Sequence, residues 1–163
     1  RPPRSTLFPY TTLFRSYSFL EVNRRLREKH PAIVAEVVGQ LRTQGGSVEQ
    51  DTDHGLFLVN REVLVSLVLS RCTTTPGGRH RWIIRLEHGR RPDVTIAVRM
   101  DPANEGIHDY YVLPTLDMTF EVLGDSGRLR LAEDNGARLD VYRQADLGMF
   151  YRVAERVALR VAA

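Results

Sequence analysis

The sequence predicts an α+β domain: an N-terminal helical hairpin, a five- to six-stranded, mostly antiparallel or mixed sheet, and a C-terminal amphipathic helix. Three observations carry this. Apolar residues recur at helical spacing only near the two ends. The middle, from Ser47 to Leu113, is a series of short apolar runs separated by turn residues. The connections there are too short to hold the crossover helices of a doubly wound parallel sheet.

Ser18 and Glu21 have capping-box spacing, so a first helix is expected from Phe19 to about Lys29. His30-Pro31 ends it, because the residue before proline avoids the α region. Pro31 suits the first position of a second helix. Within it, Val34, Val37, Val38 and Leu41 make one apolar stripe, and Gly45-Gly46 supplies the stop.

Strands are expected at Ser47 to Gln50 and Gly55 to Val59. Asn60-Arg61 reads as a tight turn into VLVSLVLSR, Val63 to Arg71. That run is almost wholly apolar, as a strand covered on both faces must be. TTTPGG, Thr73 to Gly78, reads as a loop. Further strands are expected at Arg81 to Leu86, Val94 to Met100 and Tyr110 to Leu113, the last closed by Pro114. Leu129 to Asn135 is compatible with a short strand or a turn of helix. From Ala145 onward, Leu147, Phe150, Tyr151, Ala154, Val157, Ala158 and Val161 form an amphipathic stripe.

The chain has 163 residues and a formal charge of +3. Its opening is unusual. Residues 6–16, TLFPYTTLFRS, resemble the translation of a short-read sequencing adapter, so residues 1–16 are set aside as non-native and 17–163 as one α+β domain. The excess charge sits in that segment, as Arg1, Arg4 and Arg15 with no acid. The rest balances 20 basic against 20 acidic residues, so bulk charge is no argument for a nucleic-acid partner. Lys29 is the one lysine; the other basic residues are arginines, as in proteins from GC-rich genomes. No apolar run is long enough to span a bilayer. The single Cys72 cannot form an internal disulfide, follows an apolar stretch and reads as a buried structural thiol, in keeping with a reducing, cytoplasmic setting.

No phosphate loop, nucleophile elbow, H-E-x-x-H or paired C-x-x-C is present. The five histidines show no ligand spacing on a common element. Asp51-Thr52-Asp53-His54-Gly55 concentrates two acids and a histidine in one turn. Such carboxylates suit Mg²⁺, yet Asp and Gly also favour a hairpin turn for backbone reasons alone. Arginines cluster at Arg24-Arg25-Arg27, Arg79-His80-Arg81 and Arg90-Arg91, with Arg71 and Arg85 on neighbouring expected strands. These are candidate phosphate contacts, against the plainer reading of solvated faces.

From DTDHG through VLVSLVLSR, GGRHRWIIRL and PDVTIAVRM to YYVLP, residues 53–113 resemble the restriction-endonuclease-like superfamily named for its PD-(D/E)XK motif. The resemblance implies a nuclease scaffold in which an acid and an (E/Q)-x-K triplet on adjacent strands bind Mg²⁺ and activate water. Here Ser66 stands in the place of the second acid and Val68 in that of the lysine. The chain is therefore expected to be a degenerate, non-catalytic module without a cofactor, associated with DNA or a DNA-processing protein. Arg71, Arg79, Arg81, Arg90 and Arg91 would contact phosphate. The alternatives are a metal-dependent nuclease using Asp53 with Glu62 or Asp93 and Mg²⁺, and a protein-interaction or assembly domain.

Overall fold

The computed structural model describes residues 21–162 apart from 45, 52–54, 87–91, 119–127, 134 and 136. The adapter-like segment, the proposed cap at Ser18, and Asp53, Arg90 and Arg91 lie outside the described residues. Helix α1 covers residues 21–29 and α2 Pro31–Thr43. Among the described residues nine strands follow: β1 Val48–Asp51, β2 Leu56–Val59, β3 Val63–Ser70, β4 Thr73–Thr74, β5 His80–Arg85, β6 Val94–Met100, β7 Ile107–Pro114, β8 Arg128–Ala132 and β9 Arg143–Gln144. A short helix, α3 (Ala137–Asp140), precedes β9, and α4 (Phe150–Ala162) closes the chain.

The class is α+β, with a mixed six-stranded sheet in the order β1-β2-β3-β6-β7-β9. Neighbours are antiparallel except β3 and β6, which run parallel from Val65↔Val94 to Ser70↔Arg99. A parallel pair needs a long crossover, usually a helix. Here residues 71–93 make it with two strands, β4 and β5. Those strands leave the main sheet and form a second one with β8, in the order β4-β5-β8. Arg81 to Leu86, expected in a single sheet, thus belongs to this smaller layer. Two further expectations shift: Thr73-Thr74 is a strand rather than loop, and Tyr110 to Leu113 lengthens to an eight-residue β7 that is followed by two more strands.

The large sheet separates two apolar cores. On one face, Leu26 of α1, Ile33, Val37, Val38 and Leu41 of α2 and Phe150, Val153 and Ala154 of α4 cover Val65, Leu67, Ile96, Val98 and Tyr110. On the other, Trp82, Ile84, Leu129 and Leu131 of the small sheet cover Ala97, Tyr111 and Leu113. Strands β3 and β6 are therefore sandwiched, which is why their sequences show no polar alternation.

The Asn60-Arg61 turn has positive φ at both residues, 53° and 57°. The Glu62 N–H donates to the Val59 carbonyl at 3.1 Å, and two successive left-handed residues in such a turn favour Asn-Gly. Arginine in the left-handed region costs roughly 1–2 kcal/mol. Arg61→Gly removes that cost while adding backbone entropy to the unfolded chain, roughly 0.5–1 kcal/mol. A net gain of up to about 1 kcal/mol is expected, read as a higher urea midpoint at unchanged m-value.

Candidate nucleic-acid interface

The small sheet alternates strictly. Trp82 and Ile84 of β5 and Leu129 and Leu131 of β8 point inward to the second core. The intervening residues therefore face outward: Arg81, Ile83 and Arg85 on β5, and Arg128, Arg130 and Ala132 on β8. Register places Arg81 opposite Ala132, Ile83 opposite Arg130, and Arg85 opposite Arg128. On the other side Thr73 of β4 is opposite Arg81. Four arginines thus share one outer face, and the three strands contain no acidic residue.

One cross-strand pair on this face, Arg85 and Arg128, is of like charge. Like charges directly across a strand pair repel, at a cost of roughly 0.2–1 kcal/mol relative to neutral partners. Partial burial, and then the Arg128 guanidinium opposite, hold Arg85 below the usual arginine value. An anion bound over the face would remove that repulsion.

Beneath the face, a buried polar cluster fixes the small sheet to the large one. Arg99 of β6 is 0% exposed. Its Nε and Nη2 each donate to an Asp109 carboxylate oxygen at 2.6 Å, a bidentate pair, and Nη1 donates to the Ala132 carbonyl at 2.7 Å. Its guanidinium lies 4.4 Å from the Trp82 ring centroid and 4.9 Å from that of Tyr111. Trp82 Nε1 donates to the Met100 carbonyl at 2.8 Å, and Ser70 Oγ to the Ile83 carbonyl at 3.0 Å. Asn135 receives the Ala132 N–H and donates to the Tyr111 hydroxyl, which donates to Asp140. Every strand of the arginine face except short β4 is thus tied to the large sheet by directional bonds.

The sequence-predicted residues distribute unevenly. Arg81 lies on the outer face, exposed. Arg79 is exposed in the turn leading into β5, and Arg71 is exposed between β3 and β4. Arg128 and Arg130 were not among the expected contacts, although RLRLA carries the two-residue period that marks them as outward. Glu62 is exposed in the turn before β3. Asp93 is committed to strand pairing: its Oδ2 accepts the Leu64 N–H at 2.9 Å, and its own N–H donates to the Leu64 carbonyl at 2.8 Å. Glu62 and Asp93 therefore sit at the start of β3, whereas Arg71 lies beyond its far end, about 25 Å away along an eight-residue strand. Ser66 and Val68, at the positions of the motif triplet, are both buried. Among the described residues, no three His, Cys, Asp or Glu side chains group as metal ligands. None of the described helices is long and apolar enough to cross a membrane.

Cys72, next to this layer, is buried, and burial pushes its thiol above the ordinary range. Its thiolate fraction at neutral pH is correspondingly lower. Alkylation by iodoacetamide is expected to be slow in the native protein, to accelerate on raising the pH, and to reach the rate of a free thiol only in denaturant.

The layered arrangement has a known counterpart. The chain is similar in structure to a bacterial homing endonuclease, I-Ssp6803I. The TM-score is 0.51 at 14% identity, over 82% of this chain and 94% of that one. At that identity the likeness is one of fold alone. No family model matches the chain, and no curated protein matches it in sequence.

Proposed function

We propose that the chain is a non-catalytic DNA-binding module on a nuclease-like scaffold, which grips phosphate through the outer face of β5 and β8. The observation that carries this reading is the set Arg81, Arg85, Arg128 and Arg130 on one face without an acid in its strands. Arginine presents a planar fork of donors that matches phosphate oxygens. Arg71 and Arg79, exposed and close by in the chain, extend the same contact set. The non-catalytic part rests on Ser66 and Val68, which offer no carboxylate and no ammonium at the resemblance's metal and lysine positions.

The test is equilibrium binding to a labelled mixed-sequence duplex at several salt concentrations. The four arginines of this face alone predict a log–log slope of about −3.6, equivalent to roughly 150-fold weaker binding between 50 and 200 mM salt, and Arg71 and Arg79 steepen it. A flat salt dependence, or no binding, rejects the reading. Supercoiled plasmid with Mg²⁺ is expected to stay intact, and nicking lost on Asp53→Ala would instead support the metal-dependent nuclease.

A further inference from the structure

The arginine face has a shape as well as a charge. Strand β4 pairs with β5 only at His80 and Arg81. Among the described residues, β5 from Trp82 to Arg85 pairs with β8 alone, so this stretch is a two-stranded antiparallel ribbon. A two-stranded β-ribbon fits the major groove of B-form DNA, about 12 Å wide, and not the minor groove, about 6 Å wide.

The outward residues are ordered along that ribbon. Ile83, 40% exposed, and Arg130 form its central cross-strand pair. Arg81 flanks them on one side, and the Arg85–Arg128 pair on the other. Arg81 and Arg85 are four residues apart, about 13 Å along a strand, comparable with the groove width. Cationic groups therefore stand at the two margins, where phosphates run, with one arginine and one aliphatic side chain between them.

We infer that the β5–β8 ribbon enters the DNA major groove, with Arg130 reading a guanine edge and Ile83 meeting a thymine methyl. The inference rests on the DNA-binding reading above and adds the duplex, the groove and the reading residues to it. Arginine is suited to the guanine O6 and N7 acceptors, and apolar side chains to the thymine methyl. Single-strand binding uses aromatic platforms, and the outward positions of these strands are Thr73, Arg81, Ile83, Arg85, Arg128, Arg130 and Ala132, none aromatic. Duplex RNA hides its major-groove edges in a deep, narrow cleft.

Three probes of one base sequence test this: duplex DNA, its single strand and the RNA duplex. Duplex DNA is expected to bind tightest. Selection from a randomised duplex pool by the wild type should enrich a G·C pair at one position. Arg130→Ala should cut that preference roughly 5- to 150-fold, while Arg81→Ala weakens all sequences alike. Single-stranded DNA or duplex RNA binding as tightly as duplex DNA overturns the inference and leaves the DNA-binding reading standing. So does a uniform loss in Arg130→Ala with sequence preference unchanged. No binding to any of the three probes rejects both.

Discussion

Arg99→Met is expected to destabilise the domain by about 3–5 kcal/mol, a large share of the total for a domain of this size. The reason is the charge left behind. Asp109 is buried, and its carboxylate takes two short bonds from Arg99. Without them its nearest described cation is Arg143, whose Nε is 3.6 Å away on a side chain 44% exposed. The Ala132 carbonyl also loses its donor, which loosens the end of β8. Methionine replaces much of the packing between Trp82 and Tyr111, so the loss is chiefly electrostatic. Removing both charges together, in Arg99→Met with Asp109→Leu, should restore most of the stability, because neither desolvated group is then unpaired. Urea unfolding of the two single variants and the double gives the coupling energy. Trp82 is the only tryptophan and lies on the inner face of the small sheet, so its emission reports this layer directly. Additive single-variant losses, with no recovery in the double, would refute the account.

The same residue shows where sequence reading stops. Sandwiched strands announce themselves, since VLVSLVLS and VTIAV leave no face for water. The tight turn at Asn60-Arg61 is equally legible, because asparagine tolerates the left-handed region. Arg99 is not legible as an anchor. A charged residue near the end of an apolar strand looks like its exit into solvent, and only pairing with Asp109 ten residues later makes burial tolerable. The small sheet was hidden for a related reason. Its inner positions carry the same alternation as any half-buried strand, and nothing local tells β5 to pair with β8 rather than with β6. The start of α4 shows tertiary contacts setting a boundary. Leu147 fits the helical stripe, yet its N–H donates to Gln40 and its carbonyl accepts from Gln44, both on or next to α2. Those bonds hold residues 145–149 out of the helix, which begins at Phe150. At the site, Arg81 was found because it belongs to a visible basic cluster. Arg128 and Arg130 each stand beside leucine, and they become one surface with Arg81 only through the register of β5 and β8.

Replacing Arg81, Arg85, Arg128 and Arg130 together with alanine should remove most of the salt dependence of duplex binding. Each lost phosphate contact makes the slope shallower by about 0.9, so the fourfold variant should lose about 2.7 with Arg130 on a base edge and about 3.6 with all four on phosphate. A loss of two positive charges elsewhere provides the contrast. Arg24 and Arg25 on α1 are exposed but paired with Glu21 at 2.6 and 3.2 Å, so their field is largely neutralised there. Changing those two to alanine should leave the slope unchanged. Stability supplies a second, independent reading. A surface kept only for folding would lose stability when its long side chains are removed, since arginine stems cover apolar surface. Arg85 and Arg128 are of like charge and directly opposite, so removing both should relieve a repulsion of roughly 0.2–1 kcal/mol. Binding and stability are therefore expected to move in opposite directions in the fourfold variant, measured by anisotropy and urea unfolding on the same preparation. A variant that binds less and is also markedly less stable would mean that these arginines support the sheet rather than a ligand. Function explains the retention of a repulsive pair only if its removal makes the fold more stable and the protein unable to hold DNA.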